Sequence, residues 1–311
     1  GGLLSLGDID GLEVSVPLEV AVCKGDSDTE GQCEPEGKAL DVYVVLRVNV
    51  GEVLWLVKAL GDKDGLLEAL ARTEGGLLPL DKSKFKNILV TGPLAADTLT
   101  SMSRYGPSNI KVVSVLEGLQ NYDPKNVQVK YTKGCESADA NWPESELYPS
   151  PMTEIEKAEI KKAVEMAATV DVIVAVMGET ENQFGESRSR TNLDLTGRQL
   201  DLLYALYATK KPIVVVLING QPLTINWPTK YIPSILEAWC PGAEGGNAIA
   251  ETLFGDYNPG GKLPVTIPKS VGQIELNFPY KPGSQAGQPG DGPNGFGKTN
   301  IYGALYPFGY G

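Results

Sequence analysis

The chain has 311 residues, 42% hydrophobic and 21% charged, enough to bury one large core or two modest ones, and nothing in that balance signals disorder. Its 39 acidic and 27 basic residues leave a net charge of −12, which disfavours nucleic acid and anionic membranes as partners and suits a neutral ligand such as a sugar. Histidine is absent, which excludes Ser-His-Asp triads, Cys-His dyads and His-ligated zinc, so proton transfer falls to carboxylates, Lys, Tyr or Cys.

Residues 12–22 and 42–50 are apolar runs on either side of an acidic turn region and read as strands, although residues 1–72 as a whole take no assigned architecture. The start Gly1-Gly-Leu-Leu4 lacks the basic residues of a signal peptide, which is compatible with a processed precursor. No apolar run approaches the ~18 residues of a membrane span. Cys23 and Cys33 flank an acidic loop and could close a small disulfide in an oxidising compartment, whereas Cys135 and Cys240 read as buried thiols. Neither metal-ligand spacing nor a cofactor motif occurs, so no cofactor is expected.

From Lys84 onward, short β-branched runs alternate with longer amphipathic stretches. That alternation predicts an α/β fold, a mostly parallel sheet sandwiched by helices, over residues 73–311. Residues 88–90 form a strand that ends in Thr91-Gly-Pro93. Thr153 and Glu156 make a capping box for a helix to about Ala168, with Ile155, Ala158, Ile160, Ala163 and Met166 as its apolar positions. A strand follows over 172–177, and Thr196 with Gln199 repeats the capping pattern for a helix to about Ala208. Residues 212–218, apolar on both faces, suit a central parallel strand. A strand over 235–239, a helix over 245–254 and an edge strand over 263–268, restricted by its prolines, complete the pattern. Trp227 and Trp239 read as core fillers, and the Gly- and Pro-rich tail from Pro279 as ordered only by docking.

The stretch Gly178-Glu-Thr-Glu-Asn-Gln-Phe-Gly-Glu-Ser-Arg-Ser-Arg-Thr191 hangs carboxylates and guanidinium groups on the end of the 172–177 strand. Chemistry in open α/β sheets sits at that end of the strands. A carboxyl there can serve as a general acid, and pairing of Arg188 or Arg190 with Glu179, Glu181 or Glu186 would oppose that role by stabilising the carboxylate.

Several motifs, in order, resemble the C-terminal α/β sandwich domain of glycoside hydrolase family 3, with bacterial β-glucosidases as its nearest members. They include Gly75-Gly-Leu-Leu-Pro-Leu80, Asn219-Gly-Gln-Pro-Leu223, Glu237-Ala-Trp-Cys-Pro-Gly242, Gly255-Asp-Tyr-Asn-Pro-Gly-Gly-Lys-Leu-Pro264 and Gly303-Ala-Leu-Tyr-Pro-Phe-Gly-Tyr-Gly311. The resemblance implies a retaining glycoside hydrolase acting on terminal β-linked sugars. In that family a (β/α)8 barrel supplies an aspartate nucleophile and the sandwich lends the acid/base glutamate from a loop. On the Glu-x-x-x-Arg-Thr pattern Glu186 takes the acid/base position and Arg190 the accompanying arginine. Glu179 is the competing carboxylate, suited to bracing the loop or to binding sugar hydroxyls, and Arg104 and Tyr105 take the place of a loop beside the sugar subsites.

Residues 1–72 do not match the family's barrel, and Asp26 and Asp28 echo a nucleophile motif only faintly. A barrel domain, supplied in trans or by a longer precursor, is therefore the expected partner alongside a small carbohydrate, and the implied location is periplasmic or secreted. The alternative is a catalytically inactive carbohydrate-binding or regulatory module. A nucleotide-binding reading from Gly242-Ala-Glu-Gly-Gly246 fails because Glu244 would repel phosphate and the glycine spacing is wrong.

Overall fold

The computed structural model describes residues 77–103, 105–106, 109–273 and 304–311, together with the backbone of four strands nearer the N-terminus. Two compact units divide the chain, Gly1–Gly65 and Leu66–Gly311. In the first, β1 (Gly2–Ile9) pairs antiparallel with β2 (Leu12–Leu18), and β3 (Val42–Arg47) with β4 (Leu54–Ala59). Strands thus occur within both runs where the sequence predicts them. The Cys23–Cys33 pairing, Asp26 and Asp28, and the tail from Pro279 to Gly303 lie outside the described residues.

The second unit is built on five parallel strands: β5 (Asn87–Thr91), β6 (Gln128–Thr132), β7 (Val172–Gly178), β8 (Ile213–Ile218) and β9 (Ser234–Glu237), arranged β6-β5-β7-β8-β9. Every residue of β7 and β8 is buried, as a strand covered on both faces requires. Strand alternation sends successive side chains to opposite layers. Ile173, Ala175 and Met177 of β7, with Ile213, Val215 and Leu217 of β8, pack under α2 (Glu154–Ala167) and α3 (Gln199–Ala208), where Ile160, Ala163, Leu202 and Leu206 meet them. Val172, Val174, Val176, Val214, Val216 and Ile218 face the other way, under α1 (Val115–Tyr122) and α5 (Gly245–Phe254). A short α4 (Asn226–Tyr231) precedes β9, and Trp227 packs partly buried against the first layer.

The α2 capping box forms as expected, with the Thr153 hydroxyl accepting from the Glu156 amide at 3.2 Å and the Glu156 carboxylate accepting from the Thr153 amide at 2.6 Å. The apolar face of α2 is narrower than predicted, because Ile155 and Ala158 are exposed and Ala167 joins Ile160 and Ala163 inside. The second capping arrangement does not form. α3 begins after Arg198 without a side-chain cap. The two residues are held by tertiary bonds instead: Gln199 grips the backbone of Gly178 from both sides at 2.8 Å, and the Thr196 hydroxyl donates to the Ser137 carbonyl. The edge strand over 263–268 is also absent. Pro264 and Pro268 have no amide hydrogen to offer, and among the described residues the segment meets the C-terminal residues through one antiparallel bridge, Ile267 with Tyr306, and single bonds such as Leu263 N–H to Tyr310 O at 2.8 Å. The chain also forms α1, β6 and α4, which the sequence reading passed over.

Candidate active site

The connection leaving β5 runs to β6 on one side, and the one leaving β7 runs to β8 on the other. In such a sheet the loops leaving these strands diverge at their carboxyl ends and open a crevice. The β5 loop carries Tyr105 and the β7 loop carries Glu186. These meet in the structure: the Glu186 amide donates to the Tyr105 hydroxyl at 2.8 Å. Both side chains are exposed, Tyr105 at 67%. Arg104 lies outside the described residues.

The 179–191 loop is tied to the sheet through its two limbs. Gly178 leaves β7 at φ 132°, with the Ile218 carbonyl where a β-carbon would stand, 1.9 Å away, so only glycine fits. Gln199 clamps its backbone. Further along, the Gln183 amide nitrogen donates to Thr196 Oγ1 at 2.6 Å and its oxygen accepts from the Thr180 amide at 2.8 Å. Phe184 is buried against Gly220, where a β-carbon would come within 2.1 Å of its ring. Glu186, the next residue but one, stands in the open. On the neighbouring turn Glu181 accepts from the Thr100 hydroxyl at 3.4 Å, a second link to the β5 loop.

Beneath the tip lies a buried ion-pair chain. Arg190, its side chain 2% exposed, donates Nε to Glu146 Oε1 at 2.7 Å and Nη1 to Glu179 Oε1 at 2.5 Å. Nη2 reaches Asn192 Oδ1 at 3.2 Å and the Asp194 carbonyl at 2.7 Å. Glu179 is fully buried, and its Oε1 also accepts from Gln221 at 2.6 Å. Desolvation pushes the Glu179 carboxyl up, and the pull of Arg190 and Gln221 only partly offsets it. For Glu146 the balance reverses: desolvation raises it, but hydrogen bonds from Thr191, Arg190 and Trp142 prevail and hold it below the usual carboxylate range. The structure therefore places Glu179 and Arg190 under the loop, paired with each other and with Glu146, not at its surface. The Arg190 guanidinium is occupied away from Glu186, and Arg188 is exposed.

Glu146 was not singled out by the sequence. It lies in the loop after β6, 44 residues from Arg190, where no local spacing could reveal the pairing. Gln221 falls within the Asn219-Gly-Gln motif, which marked it for resemblance but not for a role. At the end of β9, Glu237 accepts from the Trp239 amide at 3.1 Å and borders a cavity of about 150 Å³ lined also by Trp239, Lys262, Leu263, Tyr306 and Tyr310. Trp239 therefore edges this cavity and is only half-buried. Cys135 is a buried free thiol, pushed up to about 12 chiefly by desolvation, and Cys240 is half-buried.

Taken together, these groups hold the exposed Glu186 on a hydrogen-bonded loop at the carboxyl end of the sheet. Such an arrangement can hand a proton to, or take one from, a ligand presented from outside the strand ends.

Comparison with known proteins gives a consistent picture. The glycosyl hydrolase family 3 C-terminal domain matches residues 70–311. A periplasmic beta-glucosidase of Salmonella typhimurium is 41% identical over 249 residues, covering 75% of this chain and 32% of the relative. A beta-xylosidase of Formosa agariphila is 36% identical over 251 residues, covering 78% and 32%. Among solved structures, a β-glucosidase from Erythrobacter marinus superposes with a TM-score of 0.64 at 37% identity, covering 78% of this chain and 33% of that one. A beta-glucosidase from Listeria innocua in complex with isofagomine gives 0.62 at 27% identity, covering 79% and 31%. The chain spans about a third of the length of the curated relatives it matches. With its five-stranded parallel sheet between two helical layers and a family match over most of its length, the chain belongs to glycoside hydrolase family 3 through that family's C-terminal domain.

Proposed function

We propose that this chain supplies the acid/base half of a retaining β-glycoside hydrolase, with Glu186 as the proton donor and acceptor. The observation that carries the reading is the place of Glu186: exposed, at the tip of the loop leaving β7, where the strand order reverses, with its amide held by Tyr105. In the first step the bond from the anomeric carbon to the glycosidic oxygen breaks, and its electron pair stays on that oxygen, which takes the Glu186 proton. A second carboxylate, from a barrel domain in the same protein or in trans, forms the glycosyl ester. In the second step Glu186 removes a proton from water as the water displaces that carboxylate. Retention requires the two carboxyl groups about 5 to 5.5 Å apart.

Tyr105 and Arg104 are the proposed sugar contacts on the facing loop. Glu179 and Arg190 contribute to substrate binding by holding the loop in place. The substrates are terminal β-linked glucose or xylose, in keeping with the β-glucosidase and β-xylosidase names of the relatives. A periplasmic or secreted location follows the periplasmic relative.

The test is Glu186→Gln in the full-length protein, assayed on a phenyl β-glucoside. A loss of about 10²- to 10⁴-fold, the usual worth of a general acid, is expected there, and on a dinitrophenyl β-glucoside, whose leaving group departs without a proton so that breakdown of the glycosyl ester limits turnover, added azide should restore part of the rate because it needs no deprotonation to attack the ester. Unchanged turnover would overturn the assignment. No turnover in the wild type, with sugar-induced thermal stabilisation, would favour a binding module.

A further inference from the structure

We infer that Glu146 is the positioning residue of the acid/base loop: by gripping Arg190 and Thr191 it fixes the returning limb of the 179–191 loop and so the point from which Glu186 delivers its proton. This rests on the acid/base reading of Glu186.

Glu146 belongs to a different loop, yet its side chain is 4% exposed and each of its oxygens accepts from the Arg190–Thr191 pair. Oε1 accepts from Arg190 Nε at 2.7 Å and from Trp142 Nε1 at 3.1 Å. Oε2 accepts from the Thr191 amide at 2.8 Å and the Thr191 hydroxyl at 2.7 Å. Every one of these partners is a donor, and only an ionised carboxylate can satisfy them all. The grip lies four residues beyond Glu186 in the chain. Through Arg190 it continues to Glu179 and Gln221, so one hydrogen-bonded line joins the loops after β6, β7 and β8. Glu146 does not itself reach the exposed tip. Its influence on chemistry runs through where Glu186 stands, and small displacements of a proton donor are costly to rate.

Glu146→Gln keeps shape but turns one acceptor oxygen into a donor, which must face either Thr191 or the Arg190–Trp142 pair. Thr191→Val removes one hydroxyl donor and leaves the charge of Glu146 intact, a gentler change should the first variant fold poorly. Both would be made in the full-length protein, and kcat/KM would be measured on aryl β-glucosides whose leaving groups range from dinitrophenol to unsubstituted phenol. A misplaced acid matters little when the leaving group departs unaided and greatly when it needs a proton. Rates near wild type on dinitrophenyl glucoside, falling at least 10-fold below it on phenyl glucoside for Glu146→Gln and in the same direction for Thr191→Val, are expected. A uniform loss, or none, across leaving groups would mean that Glu146 is merely structural and would overturn the inference. Glu186→Gln serves as the reference. If it shows the leaving-group dependence and the Glu146 and Thr191 variants do not, this inference alone fails; if Glu186→Gln shows none, the acid/base reading fails and this inference with it.

Discussion

Glu237 ends β9 with its carboxyl against the Trp239 amide, and desolvation pushes it up to about 8, reinforced by the negative charge of Glu179 and opposed by the Trp239 and Asn219 hydrogen bonds. The folded chain therefore holds a proton on Glu237 that the unfolded chain, with an ordinary carboxyl near 4.5, releases across the intervening pH range. Stability from this group is fully present below about 4.5 and is lost as pH rises through about 8. Glu237→Gln, a neutral mimic of the acid, is expected to flatten the decline of unfolding free energy between pH 5 and 8, where the wild type should lose up to ~1 kcal/mol per pH unit. Denaturant titrations at several pH values check it, and parallel curves for wild type and variant would refute it. Glu146 carries the opposite sign. Its lowered carboxyl contributes stability above the unfolded value that disappears as pH falls. Neither behaviour could be read from the sequence, where Glu237 was one letter of a motif and Glu146 an unremarked acid in a loop.

Elements differ in how far local signals reach. The α2 cap was legible because both its partners lie within four consecutive residues. The same pattern at Thr196 and Gln199 misled because those side chains serve the β7 loop. α1 carried a signal that went unread: Ser114 caps it by accepting from the Glu117 amide at 3.2 Å, the serine-to-glutamate spacing of a capped helix. Its partner α5 was predicted over the residues it occupies. Their contact was not foreseeable. A β-carbon on Gly118 would stand 2.1 Å from the Gly246 carbonyl oxygen, and one on Gly246 would stand 2.0 Å from that of Ser114, so the helices cross backbone to backbone. Gly118→Ala should force them apart and cost about 1 to 3 kcal/mol, read as a melting temperature lower by roughly 3 to 10 °C. A melting temperature at or above that of the wild type would show that the crossing has slack.

For the whole molecule, the proposal that the nucleophile comes from a barrel makes a direct prediction. The 311-residue chain by itself should leave a phenyl β-glucoside intact, and adding a family 3 barrel should restore turnover. Cleavage by the chain alone would show that it supplies both carboxylates. The sequence by itself determined the α/β class, the identity of the central strands and the loop that bears Glu186, since buried parallel strands must be apolar on both faces and chemistry collects where they end. The tertiary structure alone decided the strand order, the meeting of Tyr105 with Glu186, and the pairing of Arg190 with Glu146 and Glu179. Those pairings join residues 81 and 44 positions apart, as well as two in one loop, and burial selects among several arginines and many acids. A linear pattern records which charges are present; only packing, by removing water from some of them, decides which must find each other.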